Sequence, residues 1–327
     1  MSEDALRTEY EMKLPLLDAC GKYVVDQINN AILATCENLD VFLKVPPSTR
    51  VKSVESFIEK ALYRNKNYSQ PIVNITDQVG VRYVVLTHYD VHKLKQIIES
   101  HDQWHVSLDR DYESERLSMP YHFDYQSVHY VITILSDANF NGCNLKNIRC
   151  EIQLRTLLQH AYAELTHDLL YKSPVRVPAD VKRTAGRSAA LIEAVDFYFD
   201  STKETIDQYI QKMETVLDML DEVCSNLALP TQKSPRLNCE LFNMMSSLIS
   251  DQEITVIQNE IMRQDNRYVR GAKNLINEKG ELIYKQPCIL LALYFAHKKP
   301  RQLFEKWDMF SEYLNEIYLR MGIAQPG

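Results

Sequence analysis

Glycine is scarce in this chain, eight in 327 residues, which argues against a loop-rich all-β architecture and against a dinucleotide fold built on a Gly-rich turn. There is no C-x-x-C pair. The seven cysteines, Cys20, Cys36, Cys143, Cys150, Cys224, Cys239 and Cys288, are odd in number and scattered, so neither a disulfide framework nor a zinc site is suggested. They read as buried thiols of a reducing cytoplasm. No apolar run approaches the roughly 20 residues of a spanning helix, and the first residues, MSEDALRTEYEMK, are polar and charged rather than signal-like. A soluble, cytoplasmic protein without a membrane partner is expected. An excess of positive charge is also missing: the net charge of −7 gives no global attraction to nucleic acid or to an anionic surface. An anionic ligand must therefore be gripped by individually placed arginines and lysines.

What is present is helix in abundance and enough chain for two domains, each able to bury a core. Residues 1–45 read as an N-terminal helical layer, with Leu14, Leu17, Tyr23, Val24, Ile28, Ile32 and Leu39 at helical spacing. Val45-Pro46-Pro47-Ser48 is expected to end it. A helix follows in RVKSVESFIEKALYRNK. Ser53 or Ser56 is a candidate cap that leaves Arg50 and Lys52 in the preceding loop, where cations, hydroxyls and exposed N–H groups suit phosphate. A solvated basic helix face would show the same residues.

Residues 46–175 carry the strands. Asp77 precedes a β-branched run that contains Arg82, and a buried arginine there must reach an edge, an anion or a π-face. A helix is expected over 91–100, an edge strand over 104–106 and a mobile loop over the charged stretch Asp109–Pro120. In FDYQSVHYVITIL, Tyr125, Ser127 and His129 share one face, and a hairpin-like turn at Asn139–Gly142 leads on.

The run Asn147–Lys172, NIRCEIQLRTLLQHAYAELTHDLLYK, then alternates: Cys150, Ile152 and Leu154 on one face, Glu151, Gln153 and Arg155 on the other. A solvated sheet surface would alternate in the same way. The switch to a helical period at Leu157, Ala161, Leu165 and Leu169 makes a strand-to-helix junction, a good place to hold a metal or a phosphate.

Beyond a proline-bearing linker at 173–178, residues 176–228 read as one long amphipathic helix region. Its stripe of Leu191, Val195, Tyr198, Thr202, Ile206, Tyr209, Met213, Val216, Leu220 and Val223 makes the 188–224 helix a candidate for intramolecular packing or for a homo-oligomer. Residues 236–327 form a further helical module without a catalytic constellation, a candidate surface for a regulatory partner. Its basic cluster of Lys298, Lys299, Arg301 and Lys306 reads as solvated surface.

Two carboxylates at strand ends, Asp77 and Glu151, can share Mg²⁺, which prefers oxygen ligands and keeps waters and phosphates in its shell. Arg50, Lys52, Lys60, Arg82 and Arg155 supply charge for phosphate, and flat arginine or tyrosine groups stack on bases. Nucleotidyl or phosphoryl transfer is the economical reading, and spacing alone does not choose the reaction.

R-V-K-S-V-E-S-F-I-E-K, I-T-D-Q-V-G-V-R, Y-Q-S-V-H, and E-I-Q-L-R-T followed by A-Y-A-E-L-T-H-D-L-L-Y-K resemble, in this order, the motifs of the RelA/SpoT-type alarmone synthetase domain, over about Arg50 to Lys172. The resemblance implies an α+β fold: a nucleotidyltransferase-like mixed β-sheet flanked by helices, here followed by an all-helical C-terminal region. It implies a small single-function enzyme that transfers the β,γ-pyrophosphate of ATP to the 3′-hydroxyl of GDP or GTP, releasing AMP. Carried over, Arg50 and Arg82 would sandwich adenine, and Lys52, Ser56 and Lys60 would hold the triphosphate. Asp77 would bind Mg²⁺, and Glu151 would share it and act as general base. Tyr125 would stack on the acceptor base, with His129, Gln153, Arg155 and His160 lining its pocket.

The family's lysine and glycine ahead of the Y-x-S-x-H strand are replaced by Met119-Pro120-Tyr121-His122-Phe123-Asp124. Acceptor choice therefore stays open to the adenine nucleotides or the tRNA 3′ end used by related toxin or phage-defence synthetases. A further alternative is an inactive nucleotide-binding regulator. No metal-binding His/Asp set precedes Arg50, and His101-Asp102 has none around it, so synthesis without hydrolysis is expected.

Overall fold

The computed structural model describes residues 2–35, 38–64, 68–120, 123, 127–135, 137–167, 176–250, 252–263 and 266–326. They divide into two compact units, Met1–Lys203 and Glu204–Gly327.

The first unit opens with α1 (Glu3–Ala34), started by the Ser2 side chain, which accepts from the Ala5 amide, and by the acidic Glu3 and Asp4 in the first turn. Leu17, Val24, Ile28 and Ile32 recur at helical spacing and are buried, as the apolar periodicity requires. After the short α2 (Leu39–Phe42), β1 runs over Val45–Val51. The two prolines expected to act as a break instead sit in this strand. They are tolerated because β1 is an edge strand with a register shift between Val45 and Ser48, so the missing N–H groups cost no regular ladder bond.

Next come α3 (Val54–Ile58), α4 (Pro71–Asn74), β2 (Val79–Val85), α5 (His88–Glu99), β3 (Trp104–Arg110), α6 (Tyr112–Ser118) and β4 (Val128–Ile134). The hairpin β5 (Asn139–Phe140) and β6 (Cys143–Asn144) leads to β7 (Arg149–Thr156) and α7 (Leu157–Thr166). The stretch 109–120 is thus the end of a strand and a helix rather than a mobile loop. Asp111 caps α6, Arg110 pairs with Glu115 at 2.7 Å, and Tyr112 is buried, so these charges serve each other.

The five-stranded sheet has the order β1-β2-β7-β4-β3, with β2 and β7 parallel and the other pairs antiparallel, the mixed sheet that was expected. Val81, Tyr83, Tyr130, Ile132, Ile152 and Leu154 are buried on one face, in the core shared with α1 and α5. The parity of β7 is the one its sequence announces. The helical stripe of α7 is not: Leu157 and Leu165 are exposed, whereas Gln159, Tyr162, Ala163 and Thr166 are buried. The capping residue Thr156 fixes the helix phase, and the long leucines lie on the outer side.

The helix α8 (Ala179–Asn226) begins in the first unit and continues into the second. The second unit is all-helical among the described residues: α9 (Pro235–Met245), α10 (Glu253–Ile261), α11 (Arg267–Glu278), α12 (Ile289–Lys298), α13 (Pro300–Lys306) and α14 (Ser311–Met321). Helix α12 is buried on every side from Ile289 to Ala296, the pattern of a central core helix, with α11 and α14 against it. Leu241, Leu248, Ile257, Leu290, Leu303, Leu314 and Ile317 are buried in this core. Lys298 and Lys299 of the basic cluster are paired with Glu260 and Glu253. Four of the six described cysteines are buried, and all six are free thiols. Among the described residues no helix is long and apolar enough to cross a membrane.

Candidate active site

The polar face of the sheet is assembled by register. Arg50 on β1 pairs with Gly80 on β2, which pairs with Glu151 on β7; one row away, Ser48, Arg82, Gln153 and His129 line up across β1, β2, β7 and β4. Partners in register point to the same side of a sheet. Gly80 leaves the space between Arg50 and Glu151 open, and a methyl group built there would stand 3.7 Å from Glu151 Oε2, an ordinary contact.

Asp77 sits in the turn that enters β2 and is three-quarters buried. Its Oδ2 accepts from Lys52 Nζ at 2.9 Å and from Lys60 Nζ at 2.8 Å. Lys52 comes off the end of β1, just ahead of Ser53, whose Oγ accepts from the Ser56 amide and starts α3. Arg50 is exposed and lies within the strand rather than in the capping loop. Lys60 stands on a π-helical turn, Glu59–Tyr63, that continues α3. Ser56 Oγ accepts from Ser53 Oγ at 3.0 Å. Helix α1 buttresses this corner: Tyr10 stacks on Phe57 and donates to the Lys52 carbonyl at 2.9 Å, and Lys13 donates to Gln78 Oε1 at 3.0 Å.

Glu151 is held from two sides. His129 Nδ1 lies 3.1 Å from its Oε1, Gln153 Nε2 donates to its Oε2 at 2.9 Å, and Arg155 donates to Gln153 Oε1 at 2.8 Å. Burial favours the neutral acid, but the bond and charge of His129 and the Gln153 amide outweigh it, and the Glu151 pKa is lowered; the nearby charge of Asp77 works the other way. For Asp77, burial is likewise overridden by Lys60 and Lys52, which lower its pKa. Both carboxylates are therefore charged at neutral pH.

Arg82 donates to Glu164 Oε1 of α7 at 2.7 Å, an ion pair that the sequence reading missed because its ends are 82 residues apart. His160 Nδ1 is 3.7 Å from the same Oε1, and burial, then the Arg82 charge, lowers the His160 pKa, which keeps the ring neutral. The structure thus gathers Lys52, Lys60 and Asp77 into one group, His129, Glu151, Gln153 and Arg155 into a second, and Arg82, His160 and Glu164 into a third. Tyr125 lies outside the described residues, as does the end of the last motif, 168–172.

No group of three or more His, Cys, Asp or Glu ligands occurs among the described residues. The donor set fits a hard cation all the same: Asp77 Oδ1 is buried without a hydrogen-bond partner among the described residues, and Asp77 and Glu151 offer only oxygen. Such a pair suits Mg²⁺, which takes its remaining ligands from water and phosphate.

Residues 49–176 match the family model described as "Region found in RelA / SpoT proteins". Two curated relatives are GTP pyrophosphokinases of Bacillus subtilis. YjbM is 28% identical over 148 residues, 45% of this chain and 66% of YjbM; YwaC is 24% identical over 161 residues, 49% of this chain and 73% of YwaC. The crystal structure of small alarmone synthetase 1 from the same organism is 21% identical, with a TM-score of 0.51, and covers 62% of this chain and 99% of that one. The same synthetase bound to its product pppGpp gives 22% identity, 61% and 99% coverage, and a TM-score of 0.50. These likenesses carry the fold, and residues 49–176, which hold every side chain of the three groups, are the stretch that matches the RelA/SpoT region.

Proposed function

We propose that this chain is a RelA/SpoT-type GTP diphosphokinase, making a guanosine alarmone by moving the β,γ-pyrophosphate of ATP to the 3′-hydroxyl of GDP or GTP. The observation that carries the reading is the pairing of Asp77 with Lys52 and Lys60, near enough to Glu151 for the Asp77 charge to act on it. The relatives named GTP pyrophosphokinases and the synthetase bound to pppGpp support the same reaction.

In this reading Lys52, Lys60 and Ser56 bind the triphosphate, and Arg50 and Arg82 take the adenine from either side. A Mg²⁺ ion held by Asp77 and Glu151 would neutralise phosphate charge. The acceptor 3′-oxygen attacks the β-phosphorus of ATP, its proton passing to the ionised Glu151 carboxylate. The bond between the β-phosphorus and the α,β-bridging oxygen breaks, and AMP leaves with the electron pair. Most of the work is electrostatic, because charge spreads over the phosphoryl oxygens while the lysines stand ready in a partly buried site. His129 and Gln153 fix the Glu151 carboxylate, and Arg155 extends that chain toward the acceptor side. The exposed apolar face of α8 fits a contact between copies of the chain.

Incubation of the purified protein with labelled ATP and, separately, GDP, GTP, ATP or tRNA tests this. Labelled guanosine tetra- or pentaphosphate with equimolar AMP is expected. Label appearing only on an adenine nucleotide or on tRNA would replace the acceptor, and absence of AMP in every arm would leave a nucleotide-binding regulator.

A further inference from the structure

The two central strands of the sheet, β2 and β7, are the parallel pair, and each runs directly into a capped helix. Thr87 caps α5 after β2, and Thr156 caps α7 after β7, each with a reciprocal capping box. Both caps are held by one helix. On α8, Asp200 accepts from the His88 backbone amide at 2.9 Å, and its Oδ2 is 2.7 Å from His88 Nδ1. One turn earlier, Asp196 accepts from the Thr156 hydroxyl at 2.8 Å. Gln159 closes the circuit: its Oε1 accepts from the Thr156 amide at 3.0 Å, and its Nε2 lies 3.1 Å from His88 Nε2. The orientation is self-consistent, with His88 donating from Nδ1 and accepting at Nε2.

Asp196 has no solvent exposure and Thr156 none either, so this is a buried polar network rather than a surface accident. A buried carboxylate is costly to retain unless its bonds matter to the structure. The groups of the site lie just ahead of the caps: Arg155, Gln153 and Glu151 stand one, three and five residues before Thr156, and Arg82 five residues before Thr87.

We propose that Asp196 and Asp200 form a two-point clamp that fixes the stagger of β2 against β7, and that they are positioning residues for the transfer reaction. They touch neither nucleotide nor metal. They act through Thr156 and His88, setting where Glu151, Gln153 and Arg155 stand against Arg82. The groups assigned to the triphosphate, Lys52, Ser56 and Lys60, lie just past β1, on α3 and on the turn after it, outside the clamp. Of the groups assigned to ATP only Arg82 stands on a clamped strand, so loss of the clamp lowers turnover more than it weakens ATP binding. The inference rests on the proposed function only in its kinetic consequence; the structural clamp is measured separately.

The test uses the full chain with Asp196→Ala, Asp196→Asn, Asp200→Ala and Asp200→Asn. Asparagine keeps an oxygen acceptor for the Thr156 hydroxyl and the His88 amide. The alanine variants are expected to lose about tenfold in kcat, the scale of sub-ångström misplacement of reacting groups, with a smaller change in the KM for ATP. Asp196→Asn regains most of the loss, and Asp200→Asn, whose single amide oxygen serves the His88 amide but leaves His88 Nδ1 without its acceptor, regains part of it. Amide hydrogen exchange is expected to quicken at Gln159 in Asp196→Ala and at His88 in Asp200→Ala, and to stay unchanged along β1. Wild-type kcat in the alanine variants, or a loss that asparagine does not restore and that accompanies faster exchange throughout the first unit, overturns the clamp. If the wild type releases no AMP, the proposed reaction fails by itself and the exchange pattern decides: unchanged protection at Gln159 and His88 overturns the clamp, and selective loss there supports it.

Discussion

Glu151 and Asp77 owe their charge to neighbours rather than to water. Burial alone would raise both pKa values; His129 and Gln153 reverse this for Glu151, and Lys60 and Lys52 for Asp77. A carboxylate whose pKa is lowered on folding contributes stability that is complete above its unfolded pKa and is lost as pH falls through the folded one. For Asp77 that loss lies below the ordinary 3.8. Lys60→Met, which removes one of the two cations, is expected to move the Asp77 midpoint upward and to make acid unfolding begin at a higher pH than in the wild type, as followed by circular dichroism between about pH 5 and 2. Coincident acid-unfolding curves would mean that the lysine does not hold the carboxylate. The role given to Glu151 is tested by Glu151→Gln, which keeps the Gln153 contact and shape but removes the proton acceptor. AMP release is expected to fall by about 10²- to 10⁴-fold with ATP still bound in equilibrium titration. Unchanged turnover would remove Glu151 from the chemistry.

Among the elements, β7 was readable because a period of two with Cys150, Ile152 and Leu154 inward leaves one register that buries them. Helix α7 shows where that kind of reading fails. The stripe of Leu157, Ala161 and Leu165 has the right spacing for a core face, yet Leu165 is 49% exposed and Tyr162 only 6%. Leu165→Ser is therefore expected to change stability by less than about 0.5 kcal/mol, and Tyr162→Ala to cost about 3–5 kcal/mol in denaturant unfolding. The reverse order would restore the leucine face as the packed one. Strand β1 and helix α6 were hidden for other reasons: prolines mask a strand that survives at an edge, and a charged run looks solvated until its partners are known. The group of Lys52, Lys60 and Asp77 was legible because these residues are close in sequence and the structure joins them by direct hydrogen bonds. Glu164 on Arg82, His129 on Glu151 and Asp196 on Thr156 were not, since each bond joins elements that only the sheet order brings together.

At the scale of the molecule, α8 carries one apolar stripe that meets two different environments. Its last part is consumed in the core of the second unit, where Val216, Leu220 and Val223 are buried. Its earlier part is not: Leu191 is 69% exposed and Tyr198 66%, with Val195 on the same face at 39%. Large apolar side chains gathered on one exposed helix face are uncommon on a monomer and mark contact surfaces. A helix face also offers a self-complementary surface to a second copy related by a two-fold axis. The chain is therefore expected to sediment as an oligomer, and Tyr198→Glu or Leu191→Glu to shift it toward the monomer by weakening association at least about tenfold, since a charge buried at an interface without a partner is costly. Because both positions are exposed within the chain itself, the melting temperature of the dissociated variants should change only slightly. Sedimentation velocity across a concentration series decides. A wild type that stays monomeric throughout, or glutamate variants with unaltered association, would show that this face is not where copies of the chain meet.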